Sequence, residues 1–256
     1  MLDIVIPVYN EGGNILPVMG ALKASVRTPF RVLVCYDREE DDTLQALRTA
    51  PVGSLPEWIP VRNQGVGAHA AVLSGFRAGT SPWVLVLPAD DSLNAGIIDA
   101  MVHLGEAGAE IVAASRFMPG GEMTGCPWLK ALLVRTASFT LRHLARLPVH
   151  DATNGFRLFS RRVLEQIPVE SSRGFAYSIE LLVKCHRRGW PVAEVPSLWR
   201  ERTKGKSRFR VWKWLPEYLR WYAYARARLP SAQLSWARAL LPLLGLALSR
   251  LWAVRA

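Results

Sequence analysis

Short apolar runs punctuate the N-terminal part of the chain, each closed by a polar cluster. Ile4-Val5-Ile6-Pro7-Val8-Tyr9 is rich in β-formers and gives way to Asn10-Glu11-Gly12-Gly13-Asn14, a turn that can open a helix through residue 26. Arg31 to Tyr36 forms a second run, ended by the acidic loop Asp37 to Asp42, and a helix over 43–50 fits next. Gly65 and Gly67 lead into a small-residue loop and helix over 68–79, and Pro82 to Leu87 is a third buried strand ending at Asp90-Asp91. Strands alternating with helices at this spacing predict an α/β fold: a mostly parallel, Rossmann-like sheet with helices on both faces.

Ligands of such sheets lie beyond the carboxyl ends of the strands. The three ends here carry Pro7-Val8-Tyr9-Asn10-Glu11, Tyr36-Asp37-Arg38-Glu39 and Ala89-Asp90-Asp91. Carboxylates at the end of a buried strand are costly without a compensating cation or donor. A divalent ion shared with a diphosphate is one compensation, because Mg²⁺ or Mn²⁺ combines one or two carboxylates with phosphate oxygens.

Composition refines this picture in two places. The 256 residues are half hydrophobic, enough for one catalytic domain plus a tail. Cys35, Cys126 and Cys185 are odd in number and lack C-x-x-C spacing, which predicts reduced core residues in a cytoplasmic protein. The apolar N-terminus lacks the basic flank and the length of a secretion signal. The five histidines show no metal-ligand spacing. Charge is more telling: residues 1–199 are balanced, with 19 basic and 19 acidic side chains, whereas residues 200–256 hold 13 basic and 2 acidic ones and account for the whole net charge of +11.

The basic segment is also aromatic. Trp214, Tyr218, Trp221, Tyr222 and Ala225 follow a helical stripe flanked by Lys213, Arg220, Arg226 and Arg228, the pattern of an amphipathic helix in a membrane interface. The alternative is a stripe packed onto the catalytic domain. The apolar run Ala239 to Ser249 is too short for a span, which needs about 20 residues, and reads as an in-plane or re-entrant anchor. These features divide the chain into a catalytic domain over 1–210 and a membrane-associated tail over 211–256. No nucleic-acid motif accompanies the basic surface, so no nucleic-acid partner is expected.

An ordered set of motifs resembles the inverting family 2 glycosyltransferases of GT-A fold, in their dolichyl-phosphate mannose synthase-like branch. Val5 to Glu11 is similar to that family's opening strand and loop, and Val34 to Thr43 aligns to V-V-D-D-G-S-x-D-x-T, keeping Asp37, Asp41 and Thr43 but carrying Tyr36 and Arg38-Glu39 in place of an Asp and Gly-Ser. Asn63 to Gly67 resembles N-x-G-x-G, Ser115-Arg116-Phe117 with Gly120-Gly121 resembles S-R-Y-x-x-G-G, and Asp151 to Arg157 resembles D-x-T-S-G-F-R. Glu194-Val195-Pro196 and Arg202 to Ser207 resemble E-V-P and R-x-x-G-x-S. The family's D-x-D metal motif is altered: Pro88 stands on its first Asp and Asp90 on its second, with Asp91 next.

The resemblance implies a nucleotide-sugar site formed by Pro7, Tyr9, Glu11, Asp37 and Gly67, with Asp90, helped by Asp91, on a diphosphate-bound Mg²⁺ or Mn²⁺. It implies cations on donor and acceptor phosphates from Arg116, Arg135 and Arg202, with Lys206 and Ser207 in the same motif as Arg202. Local readings stand beside these: an acid after a strand caps the next helix, Asp90 is a turn residue, and Arg135 is a solvated helix residue. Asp151 is either a general base or the anchor of the Thr153-Asn154-Gly155 turn. The implied reaction moves a hexose from a GDP- or UDP-sugar to a polyprenyl phosphate with inversion, at the cytoplasmic face of a membrane, by a peripheral or monotopic enzyme. A hydroxyl acceptor served by Asp151 or Asp91 as base, or a degenerate nucleotide-sugar-binding protein, are the alternatives.

Overall fold

The structure, a computed structural model, describes residues 1–201 and 211–227, without the side chains of 211–215. Nine strands and eight α-helices are described: β1 Leu2–Pro7, α1 Gly12–Ser25, β2 Phe30–Tyr36, α2 Asp42–Thr49, β3 Trp58–Arg62, α3 Gly67–Ala78, β4 Trp83–Val86, α4 Ile98–Glu106, β5 Ile111–Ser115, β6 Glu122–Thr124, α5 Trp128–Leu144, β7 Arg157–Ser160, α6 Arg161–Gln166, α7 Ala176–Arg187, β8 Val192–Pro196, β9 Leu198–Arg200 and α8 Val211–Arg226. Seven strands form one sheet in the order β3-β2-β1-β4-β7-β5-β8. All are parallel except β7, which runs antiparallel to both β4 and β5. The expected α/β architecture is present, and the three strands expected from apolar runs are β2, β1 and β4, side by side.

The central strands are continuous apolar runs because both of their faces are covered. Ile4, Ile6, Val32, Val34 and Leu85 point to a layer made by α1, α2 and α4, through Ile15, Met19, Leu22, Leu44, Ile98 and Met101. Val5, Leu33, Val84 and Val86 point the other way, to Val72 and Phe76 of α3 and to Tyr177, Leu181 and Val183 of α7. α3 lies so close to the sheet that a Cβ on Gly75 would sit 2.9 Å from Cys35 Sγ. Asp3 is a charge inside this core; burial alone would raise its pKa, but the Arg31 guanidinium at 2.7 Å and the Ser81 and Thr80 amides outweigh that and hold it low. Cys35 and Cys185 are buried, and burial pushes their thiols up to about 12; Cys126 is only half-buried, contrary to its expected place in the core.

The C-terminal stripe departs from the membrane reading. Trp221 of α8 is 1% exposed, and Tyr218, Tyr222, Tyr224 and Ala225 pack on the same core as α7. Cations complete the seat: Arg220 pairs with Glu170 at 2.6 Å, Lys184 joins Glu170 to the buried Glu180, and both Lys184 and Arg220 lie over the Trp221 ring. From Tyr218 onward the stripe is thus the buried face of a helix packed on the globular body, across the boundary drawn at residue 210, while the side chain of Trp214 lies outside the described residues. Arg202, Lys206, Ser207 and the apolar run over 239–249 lie outside the described residues.

Candidate active site

The strand directions bring the sequence motifs to one edge. β1, β2, β3 and β4 end there, as does β5, while β7 begins there because it is reversed. Tyr9 and Glu11 follow β1, Asp37 follows β2, Asn63 to Gly67 follow β3, Asp90 and Asp91 follow β4, Arg116 and Phe117 follow β5, and Asp151 to Phe156 precede β7.

On one side the loops are fastened by carboxylates. Asp37, half-buried, accepts from Asn63 Nδ2 at 2.6 Å and from the Gly67 amide at 3.0 Å, which ties the loop after β2 to the start of α3. Gly67 adopts φ +82°, a left-handed conformation that glycine takes without strain and that presents its amide to Asp37. Asp41 is buried: it caps α2 through the Thr43 amide and also accepts from the Asn10 amide, holding the Tyr9–Glu11 loop against α2. Glu11 accepts from Asn14 Nδ2 at 2.7 Å at the start of α1, and Tyr9 is exposed. Tyr36, at a position where the family motif has an Asp, is buried, with its hydroxyl donating to Glu39 at 2.6 Å.

Asp90 and Asp91 differ despite their adjacency. Asp91 accepts from the Leu93 and Asn94 amides, and both of its oxygens accept from Asn94 Nδ2. Burial raises its pKa, with the Asp90 charge acting in the same direction against the Asn94 hydrogen bonds. Asn94 in turn brackets Leu198 through that residue's amide and carbonyl. Asp91 therefore organises a turn and carries an engaged carboxylate. Asp90 is half-buried at the strand end. Among the described residues no three His, Cys, Asp or Glu side chains converge to hold a metal by themselves.

The other side of the edge is cationic. Arg116 grips Asp151 with two prongs, Nε to Oδ2 at 2.6 Å and Nη2 to Oδ1 at 3.0 Å, and Nη2 also donates to Thr153 Oγ1 at 2.7 Å. Asp151 is wholly buried; Oδ2 also accepts the Arg116 amide, and Oδ1 accepts from the Thr153 amide and hydroxyl and the Asn154 amide. Burial acts to raise its pKa, yet the Arg116 charge and these donors more than offset it, and Asp151 is held below the usual carboxylate range. Both oxygens are saturated, so of the two readings of Asp151 the geometry favours the anchor over the base. Arg116 and Arg135 share an aromatic neighbour: each guanidinium carbon lies 5.1 Å from the centroid of the Phe117 ring. Arg135 is exposed on α5, so the pair combines a fixed cation and a solvent-facing one.

Phe117, Thr153, Asn94 and Asn63 complete this edge, and none of them carries a site role in the sequence reading. Three lie inside or beside the motifs, where an aromatic next to an arginine or an Asn after a strand was the available signal. Asn94 had none beyond its spacing from Asp91.

Comparison with known proteins bears on the family and the fold. Residues 3–168 match the family described as Glycosyl transferase family 2. Polyprenol monophosphomannose synthase of Mycolicibacterium smegmatis is 32% identical over 212 residues, covering 80% of this chain and 79% of that protein. An uncharacterized glycosyltransferase of Mycobacterium tuberculosis is 33% identical over 207 residues, covering 81% and 88%. In fold, the chain is similar to glucosyl-3-phosphoglycerate synthase from M. tuberculosis in complex with Mn²⁺, uridine diphosphate and phosphoglyceric acid, with a TM-score of 0.66, 16% identity, and coverage of 90% of this chain and 80% of that one. With more than half its length matched and a relative above 30% identity across most of both chains, this protein belongs to glycosyl transferase family 2, in the dolichyl-phosphate mannose synthase-like branch, and is a glycosyltransferase of GT-A fold.

Proposed function

We propose that the enzyme transfers a hexose from a GDP- or UDP-linked donor to the phosphate of a polyprenyl phosphate, with inversion at the anomeric carbon. The observation that carries this reading is the state of Asp151. Its oxygens are saturated by Arg116, Thr153 and Asn154, so this buried carboxylate beside the cations has no free lone pair with which to take a proton. An alcohol acceptor needs such a base. A phosphate monoester has a second pKa of about 6 and arrives with a charged oxygen at neutral pH.

Arg116 and Arg135 suit that acceptor, since guanidinium groups bind phosphate oxygens in a planar fork and keep their charge. Asp151 fixes Arg116 in place, and Phe117 supports both side chains. An acceptor phosphate oxygen attacks the anomeric carbon, the bond from that carbon to the donor diphosphate breaks, and its electron pair leaves with the nucleoside diphosphate. No proton transfer is required. The name of the Mycolicibacterium relative, a polyprenol monophosphomannose synthase, supports the same acceptor class.

On the donor side, Pro7, Tyr9, Glu11, Asp37 and Gly67 surround the ends of β1 and β2, where the nucleotide would lie. Mg²⁺ or Mn²⁺ fits this chain as an ion that takes one carboxylate from the protein and its remaining ligands from diphosphate and water. Asp90, which stands on the second Asp of the family's D-x-D motif at the end of β4, is the residue to hold it. When bound, the ion supplies Lewis-acid stabilisation of the departing diphosphate. A lipid acceptor places the reaction at a membrane surface, and among the described residues no helix is long and apolar enough to cross one. The test is incubation with polyprenyl phosphate, metal and a panel of radiolabelled nucleotide sugars; label extracted into organic solvent identifies the donor, and its absence for every donor removes the reading.

A further inference from the structure

We infer that Arg157 is a positioning residue for phosphate recognition: buried behind the pair of Arg116 and Asp151, it ties the Asp151 turn to α7 and leaves that side of the edge with one positive charge in excess, which an incoming phosphate neutralises. The inference rests on the lipid-phosphate reading of the site and adds a cation that the phosphate does not touch. β7 is the reversed strand, so its first residue, Arg157, starts at the edge where Asp151 lies, and its side chain is wholly buried there. Nη1 donates to the Ser178 carbonyl in the first turn of α7, and Nη2 donates to the Ala152 carbonyl at 3.3 Å. Ala152 follows Asp151 directly, so this fork holds the turn that grips Arg116 against α7.

The hydrogen bonds alone do not call for a charge. A buried guanidinium is costly unless an anion answers it. Arg157 Nε is buried without a hydrogen-bond partner among the described residues. The carboxylate whose charge supports the guanidinium is Asp151, and that carboxylate is paired with Arg116. Burial therefore pushes Arg157 down to about 10, with Asp151 acting against burial and Arg116 acting with it, and the group stays charged at neutral pH. Two cations thus share one anion. An apolar residue of similar volume would spare the core this cost. The excess charge has a use where the ligand is a dianion, as a phosphate monoester is above its second pKa of about 6. Buried charges are screened far less than exposed ones, so Arg157 acts through the protein interior on a phosphate held at Arg116.

The test is calorimetric binding, without donor, of geranyl phosphate and of its singly charged methyl ester at about pH 8, where the phosphate is a dianion. The wild type binds the phosphate and Arg116→Ala does not, which locates the probe at this edge. Arg157→Met and Arg157→Gln weaken the phosphate about tenfold and the ester only about threefold, because the Coulomb energy scales with the charge of the ligand. Arg157→Lys, which keeps the charge, binds as the wild type does. Where Arg157→Met does not fold, Arg157→Gln carries the comparison, since its amide still offers donors to the two carbonyls. The inference is overturned if the wild type does not bind geranyl phosphate, if the neutral variants bind it unchanged, if they lose the same factor for phosphate and ester, as a role confined to holding the turn would produce, or if Arg157→Lys loses as much as Arg157→Gln. Turnover is read separately with donor and polyprenyl phosphate. Transfer by the wild type together with unchanged affinity in Arg157→Gln overturns this inference alone, whereas a charge-dependent loss in Arg157→Gln without transfer to polyprenyl phosphate overturns only the acceptor reading.

Discussion

Arg116 and Asp151 form a two-pronged ion pair in which the carboxylate is wholly buried and the guanidinium remains partly accessible at the sheet edge. The pair makes Asp151 a positioning residue for a cation. Removing one partner of a buried pair typically costs about 3–5 kcal/mol, because the other charge is left uncompensated. Asp151→Ala is therefore expected to lower stability by that order, read by urea unfolding, and to raise the acceptor KM. Asp151→Asn, which keeps two of the turn's hydrogen bonds, recovers part of the stability and, at accessible pH, does not abolish the acidic limb of the rate profile as loss of a catalytic base would.

The same pair has a pH signature. The Asp151 pKa is depressed in the folded state, so its contribution to stability is complete above the unfolded carboxylate value, about 3.9, and is lost as pH falls through the lower folded value. Asp3 acts in the same direction through Arg31. Thermal unfolding followed from pH 6 downward is expected to show a steeper acid loss for the wild type than for Asp151→Asn, and equal slopes would contradict this assignment.

Arg135 tests the acceptor cations without a folding penalty, because it is exposed on α5. Arg135→Ala is expected to raise the acceptor KM on the order of 10- to 100-fold, the value of a charge-assisted hydrogen bond, with donor KM and Tm unchanged. Arg135→Lys keeps the charge but loses the fork and rescues only partly. An unchanged acceptor KM in the alanine variant makes this arginine a solvated surface residue.

Asp90 and Asp91 are predicted to separate by mutation. Asp90→Asn is expected to abolish the response to Mg²⁺ or Mn²⁺ in a titration of activity, while Asp91→Asn, whose amide oxygen can still accept the Leu93 and Asn94 amides, retains most of it. The reverse result would transfer the metal role to Asp91.

Trp221→Ala checks the seat of α8. Truncating a buried tryptophan costs about 3–5 kcal/mol, so denaturant unfolding is expected to shift by that order. No shift would mean that the stripe is not packed as described.

Legibility in the sequence followed how local each cause is. β1, β2 and β4 were visible because strands covered on both faces must be apolar throughout. β3 was not: Pro60 interrupts Trp58–Arg62, a tolerable residue only because the strand is at the sheet edge. The reversal of β7 has no local code, yet it decides that Asp151 lies beside Arg116. Motif order located the candidate site, but the difference between Asp90 and Asp91 depends on Asn94, and the saturation of Asp151 depends on a loop from another strand. The α8 stripe announced an apolar face without saying what covers it, which is why protein and membrane could be exchanged.

The most direct test of the central claim compares polyprenyl phosphate with the matching polyprenol as acceptors, using the donor that labels lipid and saturating metal. The account predicts organic-soluble product with the phosphate alone, lost in Arg116→Ala. Equal transfer to the polyprenol would contradict it, since this edge of the sheet would then have to supply a base that Asp151 cannot be.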